Sequence, residues 1–404
     1  MKGKLNAKQL ALIFSIVYFA SYVTRINFAA IIQSVVSDTG YLKSDLSLVL
    51  VVLSITYGIG QIINGIISDK ISPKIVITIG LSLACFINLL FPLLSSSITL
   101  MCILWGINGF AQAMLWPPIV KIMVTTLTER EYNDATTKVI KSSSIGTIFV
   151  YIVSPLIISL LSWKYVFILS SLIGSIALIV WLTNQKRIDL TINNVDIETK
   201  EISKKLSLPK MVIFPLIFIC ISIILQGMLR DGITAWMPTY LVEVYSLKEE
   251  LSILITLSQA ILTLLSLELF SFIYRKIFKN EVLCASVIFL FVTIITTILL
   301  FTYNVSAITS TILMALIIGS VHGINLMLVC YVPKRFKKYG NVSTLSGIIN
   351  SFTYVGAAIS TYGIAYLVET KGWNITILIW LIVALLGFVA CFIIFKKWKR
   401  FYQQ

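Results

Sequence analysis

The run Gln226-Gly227-Met228-Leu229-Arg230-Asp231-Gly232-Ile233-Thr234-Ala235-Trp236-Met237-Pro238-Thr239-Tyr240-Leu241 decides how the chain is read. It lies inside a hydrophobic stretch that begins near Met211, which puts Arg230 and Asp231 within a membrane rather than beside one. A buried charge there is costly and is kept mainly when it pairs or lines a pathway. A second arginine, Arg25 in Ser21-Tyr22-Val23-Thr24-Arg25-Ile26-Asn27-Phe28, falls at a similar depth in the first hydrophobic run. Two such arginines, one in each half of the chain, read as a clamp for an anionic substrate.

Composition agrees with a membrane setting. Of 404 residues, 58% are hydrophobic and only 12% charged, where soluble domains carry about a quarter charged residues. The net charge of +15 would suit nucleic acid, but the lysines and arginines fall in short clusters between apolar runs. That is a pattern of topology determinants, not of a nucleic-acid face. The six cysteines, Cys85, Cys102, Cys220, Cys284, Cys330 and Cys391, all lie in apolar runs, so they indicate packing rather than a disulfide framework or a metal site. The basic Met1-Lys2-Gly3-Lys4 start imitates a signal peptide. The run behind it is too long for one and carries Arg25, so it reads as a retained first helix.

Runs long enough to cross a bilayer as helices of about 20 residues occur at 9–36, 45–68, 75–94, 98–127, 134–160 and 163–184. Six more occur at 211–245, 250–274, 281–303, 305–332, 341–368 and 373–395. The expected fold is all-α, with twelve transmembrane helices in two pseudo-symmetric six-helix bundles, 1–184 and 211–404. The polar interval 185–210 joins them as a solvated linker. Against the alternating loops, 23 lysines and arginines fall on the side shared by the termini and the linker, 4 on the other (Lys43, Lys164, Lys248, Lys371) and 5 within spans. This bias predicts cytoplasmic termini and a bacterial-type cytoplasmic-membrane location. Helices 1 and 7 then become equivalent, and Arg25 and Arg230 stand roughly 24–29 Å along them. Matched charges in repeat-related helices are what a binding site near the midplane requires.

Tyr18, Tyr22 and Arg25 are spaced i, i+4, i+7 and share a face, and Gln226, Arg230 and Thr234 line up in the same way in helix 7. An arginine suits phosphate or carboxylate because its planar fork donates two parallel hydrogen bonds and stays charged. The plainer role for either arginine is a helix-holding ion pair with a neighbour such as Asp231. That residue sits roughly 100° from Arg230 and reads as counter-ion, gate partner or proton site. Glu268, the other acid deep in a span, reads as a polar interhelical contact or a coupling group. His322, the only histidine, reads as a cavity or packing residue able to relay protons, but unable to build a metal site alone. Asp69 reads as part of a gating contact, while Lys121 and Lys141 lie near enough to span ends to snorkel. Gly319, Gly323 and Gly356 read as close-packing positions.

Three further motifs join these residues: Gly65-Ile66-Ile67-Ser68-Asp69-Lys70, the run from Trp105-Gly106 to Trp116-Pro117-Pro118, and Arg230 followed by Trp236-Met237-Pro238-Thr239-Tyr240. With the six-and-six division, they resemble the major facilitator superfamily over nearly the whole chain. Within it the chain resembles the organophosphate:phosphate antiporters, which include glycerol-3-phosphate and hexose-phosphate transporters. The resemblance implies that Arg25 and Arg230 bind phosphate, that Tyr18 and Tyr22 line the site, and that rocker-switch alternating access is driven by opposing gradients. It implies a monomer. The chain departs from the pattern at Gln61, where glycerol-phosphate carriers have a helix 2 lysine, and at Ser143, where they have a helix 5 histidine; both stay in the expected substrate-binding set.

No catalytic constellation or P-loop occurs, so no enzyme and no cofactor are expected. The leading expectation is a carrier of a small organic anion, an organophosphate exchanged for phosphate. Proton-coupled uptake of a carboxylate or sugar acid is the alternative, with Asp231, Glu268 and His322 as protonation candidates. A transporter-like sensor working with a histidine kinase is the third reading. The expected partners are the anion and the lipid bilayer, with no nucleic acid.

Overall fold

The computed structural model describes residues 5–188, 209–247 and 249–403. The middle of the expected linker and Lys248 lie outside the described residues. Helices α1 (Ala7–Thr39), α2 (Lys43–Lys70), α3 (Pro73–Leu90), α4 (Ile98–Ala113), α5 (Trp116–Thr126), α6 (Glu129–Leu160) and α7 (Lys164–Asn184) occupy the first half. Then follow α8 (Lys210–Tyr245), α9 (Glu249–Ile273), α10 (Glu281–Thr302), α11 (Ala307–Asn325) and α12 (Val342–Gln403). Among the described residues, eleven helical stretches are long and apolar enough to cross a membrane. The remaining expected run, 250–274, is the 25-residue helix α9.

Local chemistry sets several boundaries. The Asn6 side chain accepts from the Gln9 backbone N–H (2.9 Å), and the Gln9 side chain reaches back to Asn6 (3.2 Å), so a capping box opens α1. Gly40 ends it in the left-handed conformation (φ 72°), which glycine adopts without a Cβ penalty. Thr128 and Glu131 build the same box at α6. The fourth expected run is broken into α4 and α5 by a turn at Met114 and Leu115. Pro117 and Pro118 stand in the first turn of α5, where missing N–H groups cost nothing. α12 changes direction at Gly372 (φ 77°, ψ 177°), which separates its arms 342–371 and 373–403.

The chain divides into two compact units. The described residues up to 188 together with Phe336–Ser351 form the first, and those from 209 to Arg335 together with 352–403 form the second.

In the first unit α1 packs chiefly against α6 and α7, and α2 against α4. An aromatic core of Phe28, Phe91, Trp105, Trp163 and Phe167 holds one end, with Phe91 stacked on Phe167 at 4.6 Å and against Trp105 at 4.7 Å. A polar network pins α1 in rotation. Asn27 donates to Asn88 (2.7 Å) and Ser170 (3.0 Å), while Asn88 and Asn108 both donate to the Thr24 carbonyl (2.9 and 3.0 Å). Gln112 donates to the Thr24 hydroxyl (2.9 Å) and accepts from Ser21 (2.5 Å). Where lipid supplies no hydrogen-bond partner, such side-chain bonds hold helices together. They commit Ser21, Thr24 and Asn27 to α3, α4 and α7, and leave Tyr18, Tyr22 and Arg25 on a different face.

The second unit is closed at one end by a buried charge cluster. Glu281, at the start of α10, accepts from Arg335 (2.8 Å), Tyr274 (2.8 Å) and Trp398 (3.2 Å), with Lys334 at 3.4 Å. These partners come from the segments that follow α9 and α11 and from the last turns of α12. Gly319 and Gly323 of α11 allow close approach to α9, since an added Cβ would meet Ser266 and the Phe270 ring. Gly356 lies against the α8 backbone at Ile224 and Met228 in the same way.

Candidate functional site

Each unit presents one intramembrane arginine with its own surroundings. In the first, the half-buried Arg25 guanidinium lies over the Tyr22 ring at 4.2 Å and the Tyr57 ring at 4.9 Å. Tyr18 continues the aromatic wall, 5.3 Å from both Tyr22 and Trp116. Stacking on aromatic faces orients a guanidinium while its hydrogen-bonding edges stay in plane, which suits a planar or tetrahedral oxyanion. The expected face of Tyr18, Tyr22 and Arg25 is therefore assembled. Two further walls, Tyr57 of α2 and Trp116 of α5, come from other helices.

Gln61 sits one turn beyond Tyr57 on α2 and is fully buried. Its Oε1 accepts from Asn350 (3.1 Å), while its Nε2 has no hydrogen-bond partner among the described residues. The Trp116 indole N–H is likewise buried without a partner among them. Buried donors of this kind are costly unless something occupies them. Ser143 spends its hydroxyl on the Ile140 carbonyl of its own helix (2.6 Å). One turn on, Gly146 brings α6 against α1, since an added Cβ there would stand 3.1 Å from Tyr22 Cβ.

Asp69 is placed at the first turn of α12, where its carboxylate accepts the backbone N–H of Ser343 (3.3 Å) and of Thr344 (2.7 Å). A negative charge at a helix N-terminus is favourable. Lys121, expected to snorkel, instead pairs with Asp69 (3.2 Å) and donates to the Ser68 carbonyl (2.7 Å). The reason is proximity: burial of Asp69 among α2, α5 and α12 makes the carboxylate the better partner for the ammonium group.

In the second unit the Arg230 fork is filled. Its Nε donates to Asp231 Oδ1 (2.9 Å) and an Nη to Oδ2 (2.8 Å), a bidentate pair between sequence neighbours. The pair is partly open, with side-chain exposures of 17% and 32%. The row Gln226, Arg230, Thr234 runs from fully buried through half-buried to exposed. Asn325 of α11 donates to the Gln226 carbonyl oxygen (3.5 Å), and Gln226 Nε2 lacks a partner among the described residues. His322 stands one turn before Asn325, half-buried, just ahead of a wider helical turn over Leu326–Tyr331. Glu268 is exposed and points to a different side of α9 from Ser266 and Phe270, which meet α11. Among the described residues no group of three His, Cys, Asp or Glu side chains is arranged to hold a metal ion.

The sequence profile of the Major Facilitator Superfamily matches residues 14–361. The chain belongs to the Major Facilitator Superfamily. It is thus a multi-pass cell-membrane transporter and not an enzyme. It is 28% identical over 385 residues to the glycerol-3-phosphate transporter of Bacillus subtilis (strain 168), a match covering 88% of this chain and 85% of that protein. A probable hexose phosphate transport protein of Chlamydia trachomatis is 30% identical over 147 residues, which are 36% of this chain and 32% of that one. The fold superposes on the proton:xylose symporter XylE with a TM-score of 0.73 at 11% identity, covering 96% and 95% of the two chains. For this superfamily member, Tyr57, Trp116 and Asn325 are the candidates that sequence reading missed. Tyr57 carried a usable signal, since it stands at i−4 from Gln61 on a polar stripe with Asn64 and Ser68.

Proposed function

We propose that the protein is a secondary active transporter of a small organic anion, an organophosphate exchanged for inorganic phosphate, and that Arg25 and Arg230 bind the anion. On this reading the two six-helix bundles, 1–184 and 211–404, are the bodies that move in alternating access. The observation that carries it is the Arg25 guanidinium held between the Tyr22 and Tyr57 rings inside a membrane-spanning helix. A cation ordered in this way, with the buried donors of Gln61 on α2 and of Trp116 against Tyr18 unpartnered among the described residues, is suited to an oxyanion. The likeness to a glycerol-3-phosphate transporter over most of both chains supports the phosphate moiety. The test is radiolabelled phosphate uptake into phosphate-loaded proteoliposomes, with Arg25→Lys and Arg230→Lys beside the wild type. Lysine keeps the charge and loses the fork. Exchange that either variant abolishes supports the reading, and a folded wild type that exchanges no phosphate overturns it.

The bidentate Arg230–Asp231 pair favours a second reading, proton-coupled uptake of a carboxylate. The fork already holds a carboxylate, and an incoming one would leave Asp231 to take a proton. Uptake that collapses with the proton gradient and ignores phosphate on the far side would select it. Ligand binding without accumulation would instead indicate a sensor.

A further inference from the structure

We infer that the second unit carries a selective site for an anionic phospholipid at the seam of α8 and α12, with the lipid phosphate on Lys397 and Arg400. The last turns of α12 run past the apolar stretch as Lys396-Lys397-Trp398-Lys399-Arg400-Phe401, and no acidic residue follows Cys391. One face of this extension is anchored. Cys391, Ile394, Trp398 and Phe401 are buried, and the Trp398 indole donates to Glu281. The four cations fall on the remaining faces and are all exposed. They are therefore displayed on a helix already ordered by its other side, so binding an anion costs little further ordering.

The neighbouring helix supplies the depth marker. Lys397 Nζ lies 4.1 Å from the centroid of the Phe214 ring, which is itself exposed near the start of α8. Below it, Ile217 of α8 and Phe392 and Ile393 of α12 are each about half exposed, an apolar path along the same seam. The two helices touch deeper down, where Cys391 meets Ser222 at 3.3 Å. An ammonium group above an exposed ring, with an apolar track beneath, matches a phospholipid in section: phosphate at the cations, glycerol at the ring, acyl chain on the track. Charge complementarity selects the anionic headgroup over a zwitterionic one, because a choline or ethanolamine group would add a cation beside four others.

The test is native mass spectrometry of the full chain with equimolar phosphatidylglycerol and phosphatidylcholine. The wild type is expected to retain phosphatidylglycerol with a preference of about tenfold, and that preference should shrink as salt rises from about 0.05 M to about 0.5 M. K397Q/R400Q should bring retention of the two lipids close to equal, while Lys164→Gln leaves the preference unchanged. Should the double variant fail to accumulate, Phe214→Ala tests the same seam without altering charge and should weaken retention of phosphatidylglycerol. Equal retention of both lipids by the wild type overturns the site. So does a preference that survives K397Q/R400Q, retention of phosphatidylglycerol that Phe214→Ala leaves unchanged where that variant stands in for it, or a preference that Lys164→Gln removes to the same degree.

Discussion

At the scale of single residues, the aromatic cradle of Arg25 and the occupied fork of Arg230 make different demands. Replacing Tyr57 by alanine removes one face of the cradle, and a desolvated cation–π contact contributes on the order of 0.5–2 kcal/mol. Apparent affinity for the transported anion should fall by about 3- to 30-fold; Tyr57→Phe keeps the ring and should stay near wild type. Exchange kinetics read as a KM change with a preserved maximal rate would check this. Asp231→Asn has the opposite expected sign. The Arg230–Asp231 pair is partly exposed, so its loss should cost stability only about 0–1 kcal/mol. The freed fork should bind phosphate severalfold more tightly in isothermal titration, and a weaker-binding Asp231→Asn protein would show that the carboxylate instead holds Arg230 in its working pose. The row Tyr18, Tyr22, Arg25 was legible in the sequence because it lies within one helix, where period alone fixes the face. The stripe of Tyr57 with Gln61 was legible on α2 by the same rule, but that Tyr57 and Trp116 meet this row was not, because it depends on how α2 and α5 pack, which no single-helix pattern encodes.

At the scale of elements, hydropathy located the helices but not their ends. The last expected run stopped at 395 because Lys396 begins a charged stretch, whereas the helix continues to Gln403. The continuation rests on Trp398 and Phe401, which extend the buried face of Cys391 and Ile394 while the charges point outward. A period-based reading detects that stripe and an average does not. The Glu281 cluster was equally invisible, since its members are scattered from Tyr274 to Trp398 and only folding makes them neighbours. Removing one partner of a buried ion pair leaves the others uncompensated, typically at about 3–5 kcal/mol. Glu281→Gln should therefore lower the thermal midpoint in detergent markedly, and a midpoint within a degree or so of wild type would show that Lys334 and Arg335 find other partners. In the first unit, Gly347 lies against the Gln61 carbonyl. Gly347→Val has to force α2 and the first turns of α12 apart, at about 1–3 kcal/mol. The same measurement reads it, and an unchanged midpoint would mean that this approach is looser than it looks.

At the scale of the whole molecule, the charge pattern says more than any single contact about which way the protein lies in its membrane. Lysine and arginine are placed 23 to 4 between the two sets of loops, and such a bias orients a polytopic chain because positively charged loops resist translocation. An even number of spans would put both termini on one side, and the bias predicts that this side is the cytoplasm. The prediction is decided by reporter fusions. Green fluorescent protein joined after Gln404 should fluoresce, since it folds in the cytoplasm, while alkaline phosphatase inserted beside Lys43 or Lys164 should be active outside. Phosphatase activity at the C-terminus would reverse the orientation and place the basic turns of α12 against the outer leaflet. Opposite reporters at the two ends would require an odd number of spans. Among the twelve helical stretches the one to lose would then be α9, which falls outside the eleven that are, among the described residues, long and apolar enough to cross a membrane and carries the acid Glu268 within its length, where a charge is costly to insert.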